Sequence, residues 1–249
     1  MPQDESRVAI VTGSSRGIGR AIALALAAAG RRVVVNCRES RVAAEEVLAR
    51  VEELVPGGGL FVQADVSREE GAAALVAQTV RRFGRLDILV NNAGISDPRP
   101  FLDIGPAEWD RMLRGNLTSA FLCSRAALPH MLAGGWGRII NISSTSGITG
   151  GTSGAHYASA KGGMIALTKA LAAEVASRGV TVNSILPSKI ETDMLREAVG
   201  EAGVEAVASK IPVGRLGKPE EIASLAVYLA SEQSGYITGE AITASGGYR

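Results

Sequence analysis

Short apolar runs rich in β-branched residues alternate with longer segments rich in Ala, Leu, Glu and Arg along almost the whole chain. This alternation constrains the fold strongly, because parallel strands need long crossover connections, which are usually helices. The predicted strands are 7–12, 32–36, 60–64, 86–91, 138–143, 180–186 and 240–244. The predicted helices are 17–29, 41–54, 68–82, 106–132, 156–178 and 218–230. We therefore predict an α/β fold with a doubly wound parallel sheet of about seven strands and helices on both faces.

No linker, repeat or low-complexity tract interrupts this alternation, and 46% of the 249 residues are hydrophobic, which is enough for one sizeable core. We predict a single Rossmann-like domain over residues 1–249. The one long irregular stretch, 187–217, contains only short helical patterns. Loops of that length in compact domains usually cover a binding site, so we expect 188–217 to form a lid over cofactor and substrate.

Charge and residue counts exclude several classes of function. The formal net charge is +1 with no basic block, which argues against nucleic acid as a partner. Two cysteines and two histidines at scattered positions predict neither a disulfide framework nor a metal site. The first residues, MPQDESR, do not resemble a signal peptide, and no apolar run is long enough to span a bilayer. We expect a protein of the cytoplasm that does not bind membranes.

The first strand leads into TGSSRGIG, in which Gly13, Gly17 and Gly19 permit a tight turn and a close approach to a pyrophosphate. The helix N-terminus behind the turn would face that anion. An ordinary glycine-rich turn is the alternative, but the position in the first strand–helix unit favours a dinucleotide site. Within this loop, the other predicted cofactor contacts are Ser15, Arg16 and Ile18.

The second strand ends in NCRES, where a cofactor that lacks the 2′-phosphate would usually meet a carboxylate. Arg38 stands there instead and would attract a 2′-phosphate, with Arg16 closing on the same group. We predict NADP(H), although Arg38 as a solvated residue is the alternative. Asp65 follows the third strand and, with Val66, is predicted to contact adenine. Asp65 could instead be a turn or cap residue, but Ser67 is the expected cap of the next helix.

Several motifs occur together in one order: TGSSRGIG, NNAG (91–94), GN (115–116), NISS (141–144) and YASAK (157–161). In that order and spacing they resemble the short-chain dehydrogenase/reductase family over about residues 6–248. The resemblance implies an active site of Asn116, Ser144, Tyr157 and Lys161. Asn116 would support a water that links the lysine to solvent, and Lys161 would also hold the nicotinamide ribose.

The residue types fit acid–base chemistry. Tyr157 and Lys161 are one helical turn apart and project to the same face. An ammonium nearby favours the phenolate, so we expect it to lower the pKa of the phenol from its usual ~10. Tyr157 would then exchange the proton of a carbonyl or an alcohol, and Ser144 would hydrogen-bond the substrate oxygen. Ser143 is the alternative to Ser144, but the family spacing selects Ser144. His156 points to another helix face and is not expected to relay protons.

Two further segments are implied by the resemblance to contact the cofactor. The first is NNAG, from which Asn92, Ala93 and Gly94 are candidates, with Asn91 packed structurally against the sheet. The second is the stretch that begins at Pro187, from which Ile190 and Thr192 are candidates. The family normally has glycine after that proline, whereas this chain has Ser188.

The C-terminal third, GRIINISS and KIETDM are most similar to bacterial 3-oxoacyl-acyl-carrier-protein reductases, members of this family. The resemblance implies NADPH-dependent reduction of a 3-oxoacyl thioester, in a homotetramer paired through the segments 106–132 and 156–178 and the C-terminal segment. An alcohol or glucose-type sugar dehydrogenase is the main alternative, since NCRES and HYASAKGGM also resemble those enzymes. The segment LAGGW (132–136) lacks the basic residues expected for an acidic carrier protein, which leaves Arg125 and Arg178 as candidates for that contact. A dinucleotide-binding regulator without catalysis would have a broken Ser/Tyr/Lys set, and here that set is intact.

Overall fold

The computed structural model describes residues 7–248, except for the side chains of residues 193, 194, 196–199, 201 and 202. Seven strands form one parallel sheet in the order β3-β2-β1-β4-β5-β6-β7. The strands are β1 Val8–Val11, β2 Arg32–Cys37, β3 Gly59–Gln63, β4 Ile88–Asn91, β5 Gly137–Ile142, β6 Val180–Pro187 and β7 Ala241–Ala244. The predicted doubly wound sheet is confirmed.

Nine α-helices are found within residues 7–248. They are α1 Gly17–Ala28, α2 Arg41–Leu54, α3 Glu69–Phe83, α4 Pro106–Leu113, α5 Ser119–Gly134, α6 Ser146–Thr149, α7 Ala155–Val175, α8 Asp193–Ala208 and α9 Pro219–Leu229. Helices α1, α2 and α9 pack on one face of the sheet, and α3, α5 and α7 pack on the other. Alternate residues of β1 serve the two faces, because Ala9 and Val11 belong to the first cluster and Val8 and Ile10 to the second.

The strand order reverses at β1, since β2 lies on one side of it and β4 on the other. The connections that leave the carboxyl ends of these strands diverge to opposite faces of the sheet and open a crevice between them. In doubly wound folds this switch point is where ligands bind. The glycine loop after β1 and the NNAG segment after β4 therefore meet at the place where a dinucleotide is expected.

The predicted helix 106–132 is not continuous. A π-helical turn, Arg114–Thr118, separates α4 from α5. The turn contains Asn116, which is fully buried and whose amide donates to the carbonyls of Met112 and Ile95. The side chain thus bonds to a neighbouring loop as well as to its own helix. π-Turns of this kind are frequent at functional sites.

The segment 188–217 contains α8, which is interrupted at Gly200, where φ is 68°. Its two ends are joined by a parallel bridge between Ile190 and Gly217. The amide of Glu191 donates to Gly217 O at 2.8 Å, and the amide of Gly217 donates to Lys189 O at 3.0 Å. The segment therefore leaves the sheet and returns at a neighbouring point. Its role as a lid stays a prediction.

Charged residues gather around Trp136 at the other end of the strands from the crevice, where β1 and β5 begin. The guanidinium carbons of Arg7 and Arg138 lie 3.3 and 4.1 Å from the centre of the Trp136 ring. Glu232 pairs with Arg7 and accepts a hydrogen bond from the indole nitrogen at 3.1 Å. Stacked cations of this kind tie the starts of β1 and β5 to the segment after α9.

Among residues 7–248 the structure has no helix long and apolar enough to cross a membrane.

Candidate active site

The glycine loop has the backbone of an anion cradle. Gly13 and Gly17 have φ of 61° and 55°, a region that side-chain-bearing residues rarely adopt. A Cβ on Gly19 would lie 2.5 Å from Gly13 O and 2.4 Å from Asn92 Nδ2, so only glycine fits there. The loop ends at Gly17, the first residue of α1, whose free N–H groups face the crevice. These residues fit a pyrophosphate.

Buried polar residues that we did not predict as site residues hold this loop in place. Asn36 accepts from the amide of Gly13 at 3.2 Å and donates to the carbonyls of Val62 and Ala64. Thr12 Oγ1 accepts from the amides of Asn92 and Ala93, both at 3.0 Å. A polar residue inside an otherwise apolar strand was the available signal for both, since buried polar groups need partners.

The other predicted residues of the loop have different environments. Ser15 is buried, Arg16 is exposed at the start of α1, and Ile18 packs against the core. Arg16 is therefore the member whose charge is accessible at the crevice.

Arg38 lies directly after β2, as predicted. Its side chain is 57% exposed and pairs with Glu39 at 2.8 Å. An exposed pair of this kind contributes little, so a 2′-phosphate could compete for the guanidinium.

Asp65 forms the turn after β3. Its Oδ1 accepts from the amide and the hydroxyl of Ser67, at 3.0 and 2.6 Å, and this hydrogen bonding lowers the pKa of the carboxyl against the effect of burial. The expectation that Ser67 caps the next helix is wrong, because its hydroxyl is bonded to Asp65 and Arg68 is the cap residue. Val66 buries its side chain in the core, so a contact to adenine from Val66 would use its backbone.

The NNAG segment brings the loop after β4 against Asn116. Asn92 donates both amide hydrogens to the glycine loop, at the carbonyls of Thr12 and Gly13. Ala93 lies under Gly13, where an added Cβ would be 2.9 Å from its Cα. A Cβ on Gly94 would lie 2.6 Å from Asn116 Oδ1 and 3.5 Å from Lys161 Nζ. Gly94 is therefore the point where the loop, Asn116 and Lys161 meet.

Ser144, Tyr157 and Lys161 come together beside this loop. Ser144 follows β5, where its hydroxyl accepts from the amide of Ser146 at 3.1 Å, and it lies close enough to Tyr157 on α7 to affect the pKa of the phenol. The ammonium of Lys161 lies 5.7 Å from the centre of the Tyr157 ring and donates to Ile142 O at 2.9 Å. Ser143 instead donates to Lys161 O at 2.8 Å, so it is Ser144 that faces the tyrosine.

The pKa values correct one expectation. Burial raises the pKa of Tyr157 above its ordinary value of 10.0, and the hydrogen bond with Ser144 acts in the opposite direction. Lys161 was expected to lower that pKa, but the lysine is itself buried and its own pKa falls from 10.5 to about 8. Desolvation outweighs the attraction between the two groups in the protein alone.

The segment after β6 reaches the same crevice. Thr192 caps α8 by accepting from the amide of Leu195 at 3.4 Å, and its Cγ2 would lie 3.6 Å from a Cβ on Gly17. Ile190 is buried beside Gly217, and Pro187 ends β6. Ser188 donates its amide to Ala244 O at 3.1 Å, which joins this stretch to β7.

This geometry can be compared with known proteins. A family model described as "Enoyl-(Acyl carrier protein) reductase" matches residues 13–249. The chain belongs to the short-chain dehydrogenase/reductase family. A 3-oxoacyl-[acyl-carrier-protein] reductase of Synechocystis sp. is 43% identical over 245 residues, which are 97% of this chain and 96% of that protein. Nodulation protein G of Azospirillum brasilense is 43% identical over 97% of both chains. The crystal structure of levodione reductase superimposes with a TM-score of 0.93 at 33% identity, covering 97% of both chains.

Membership in the short-chain dehydrogenase/reductase family makes this chain an oxidoreductase that uses a nicotinamide cofactor. The glycine loop fits the dinucleotide by its backbone, and Ser144, Tyr157 and Lys161 lie beside it. The individual roles of the site residues stay predictions. His156, next to Tyr157, is fully buried, and neither ring nitrogen has a partner among the described residues.

Proposed function

We propose that this protein is an NADPH-dependent ketoreductase that reduces a 3-oxoacyl thioester, carried by acyl-carrier protein or CoA, to the 3-hydroxyacyl product. The observation that carries the proposal is the grouping of Ser144, Tyr157 and Lys161 beside the glycine loop, with the Lys161 ammonium 5.7 Å from the centre of the Tyr157 ring. The substrate class rests on relatives named 3-oxoacyl-[acyl-carrier-protein] reductase at 41–43% identity.

The bound nicotinamide supplies the hydride. Tyr157 gives its proton to the carbonyl oxygen as charge develops there, and Ser144 hydrogen-bonds the same oxygen. A raised pKa keeps the phenol protonated at neutral pH, which is the form that reduction needs.

Lys161 provides the positive charge of the site below about pH 8, the value to which burial lowers its pKa. Its ammonium is fixed by Ile142 O and lies beside Gly94, from which the nicotinamide ribose would be in reach. Asn116 holds the loop that contains Gly94 by accepting from the amide of Ile95 at 3.3 Å and donating to its carbonyl at 2.9 Å.

The preference for NADPH rests on Arg38, which stands where a carboxylate would repel a 2′-phosphate. Arg38→Asp should weaken NADPH binding by more than it weakens NADH binding. The expected loss is about 10-fold or more, because hydrogen bonds to charged groups contribute about 1.5–3 kcal/mol. Equal losses for the two cofactors would contradict the assignment.

The substrate test compares NADPH oxidation with an acetoacetyl thioester against NADP⁺ reduction with glucose and simple alcohols. Faster turnover of the thioester supports the proposal, whereas faster turnover of sugars or alcohols indicates the alternative dehydrogenase. Tyr157→Phe should abolish turnover and leave NADPH binding nearly unchanged. Tight NADPH binding without turnover of any carbonyl or alcohol would point to a regulator.

The proposed assembly is a homotetramer. Phe121 on α5 is 46% exposed and Ile148 before α7 is 60% exposed, which leaves apolar side chains for a partner to cover. Light scattering on the purified protein tests the assembly.

Arg178 is the candidate for contact with an acidic carrier protein, because it is an exposed cation, whereas Arg125 already pairs with Glu69 at 2.8 Å. Arg178→Glu should raise the KM for a carrier-linked substrate but not for its CoA counterpart.

A further inference from the structure

Two buried hydrogen bonds run in opposite directions between the end of β5 and the middle of α7. The hydroxyl of Ser143 donates to Lys161 O at 2.8 Å, and the ammonium of Lys161 donates to Ile142 O at 2.9 Å. Ser143 and Lys161 are each only 4% exposed. The same lysine is thus tied to β5 through its backbone and through its side chain.

The turn after β5 also touches the backbone of α7 directly. A Cβ on Gly147 would lie 2.8 Å from Gly162 N, and a Cβ on Gly162 would lie 3.1 Å from Gly147 O. Two glycines that face each other allow this approach, because any side chain on either would push the turn and the helix apart. We call Ser143, Gly147 and Gly162 the β5–α7 seam.

The seam lies between the groups that must act together. Ser144 directly follows Ser143 on the turn, whereas Tyr157 and Lys161 are carried by the helix on the other side. The distance between Ser144 and Tyr157 therefore depends on how closely the turn and the helix approach each other. An error of about 1 Å in such an arrangement can cost about 100-fold in rate.

We propose that the β5–α7 seam is a positioning device for the reaction, in which Ser143, Gly147 and Gly162 set the placement of Ser144, Tyr157 and Lys161. The inference rests on the proposed function, since it assigns the seam a purpose in the chemistry of those three residues. It also predicts an electrostatic effect. Opening the seam admits water to Lys161, and hydration favours its charged form and raises its pKa from about 8.

The first test is Ser143→Ala with Ser234→Ala as its control. Ser234 is also a fully buried serine, and its hydroxyl donates to Leu229 O and Ser231 O away from the site. Both variants lose a buried hydroxyl–carbonyl bond, so both should lower the melting temperature by similar amounts. Only Ser143→Ala should lower kcat, by about 10- to 100-fold, with the ketone KM nearly unchanged. In a plot of kcat against pH, the fall in rate on the alkaline side should also begin at a higher pH than in the wild type, because the pKa of Lys161 is raised.

The second test is Gly162→Ala, which keeps the result interpretable if Ser143→Ala folds poorly. Alanine inside a helix offsets part of the crowding, because it is a better helix former than glycine. The control is Gly134→Ala, at the end of α5, where nothing lies within 4 Å of the added Cβ. Gly162→Ala should lower kcat at an almost unchanged melting temperature, and Gly134→Ala should leave kcat unchanged.

Lys161→Ala separates this inference from the proposed function. If Lys161→Ala abolishes turnover but Ser143→Ala and Gly162→Ala match their controls in kcat and in pH profile, the seam is only structural and the inference is overturned. If Lys161→Ala retains turnover, the catalytic assignment itself fails.

Discussion

Removing the carboxylate of Glu39 should tighten the binding of NADPH without affecting NADH. Arg38 pairs with Glu39 at 2.8 Å, and both side chains lie mostly in solvent, with exposures of 57% and 75%. A 2′-phosphate at this position has to take the guanidinium from Glu39 before it can be bound. The substitution Glu39→Gln abolishes that competition, which NADH does not face because it lacks the 2′-phosphate.

The magnitude follows from the exposure of the pair. Ion pairs between solvent-exposed side chains contribute about 0.2–1 kcal/mol. Releasing Arg38 should therefore lower the dissociation constant of NADPH by at most about fivefold, since about 1.4 kcal/mol corresponds to tenfold. High salt should shrink the effect, because exposed charges are screened.

The assay is a fluorescence titration of the wild-type protein and of the variant with NADPH and with NADH. The matched control is Glu53→Gln at the far end of α2, which removes the same charge from another exposed pair, with Arg50. Tightening of NADPH by Glu39→Gln alone is the expected result. Equal tightening of NADH, or the same change with Glu53→Gln, would refute the reasoning.

Three further outcomes are expected. Gly94→Ala should lose about 1–3 kcal/mol of stability and most of kcat, because the new Cβ would lie 2.6 Å from Asn116 Oδ1; unchanged kinetics and melting would argue against that contact. The rate of reduction should fall as the pH rises through about 8, where Lys161 loses its proton, and Lys161→Arg should remove this limb from a kcat–pH profile; a limb that persists belongs to another group. Glu232→Gln should lower the melting temperature at neutral pH. The pairing with Arg7 holds the pKa of Glu232 below its ordinary 4.5, so the stabilisation is present above that pH and the difference from wild type should vanish as the pH falls through the lowered value; a constant difference would contradict the role of the pair.

The strands and most helices could be predicted because their signal is local. Runs such as RVVVN are apolar on consecutive residues, which suits a sheet buried on both faces, and the segments between them have helical composition. The pair proposed as catalytic could be predicted equally well, since the spacing alone places Tyr157 and Lys161 on one helix face. Comparison with relatives then fixed the family.

Three features could not be predicted, because each depends on contacts between distant segments. The π-turn around Asn116 exists because that side chain bonds to Ile95 on another loop, while its sequence reads as plain helix. The raised pKa of Tyr157 comes from burial, which the sequence does not express. The bond between Ser67 and Asp65 competes with helix capping, and only the geometry of the turn decides between them.

The bridge between Ile190 and Gly217 has a consequence for the order in which ligands exchange. The bridge joins the two ends of the 188–217 segment, so the chain between them is already a closed loop before any ligand binds. Ordering this loop around a ligand therefore costs less entropy. Thr192 stands two residues from Ile190 and lies against Gly17, whereas the kink at Gly200 comes later along the segment. We therefore expect the part of the segment beside Gly17 to keep its place while ligands exchange. On the prediction that the segment is a lid, the product would leave with the cofactor still bound.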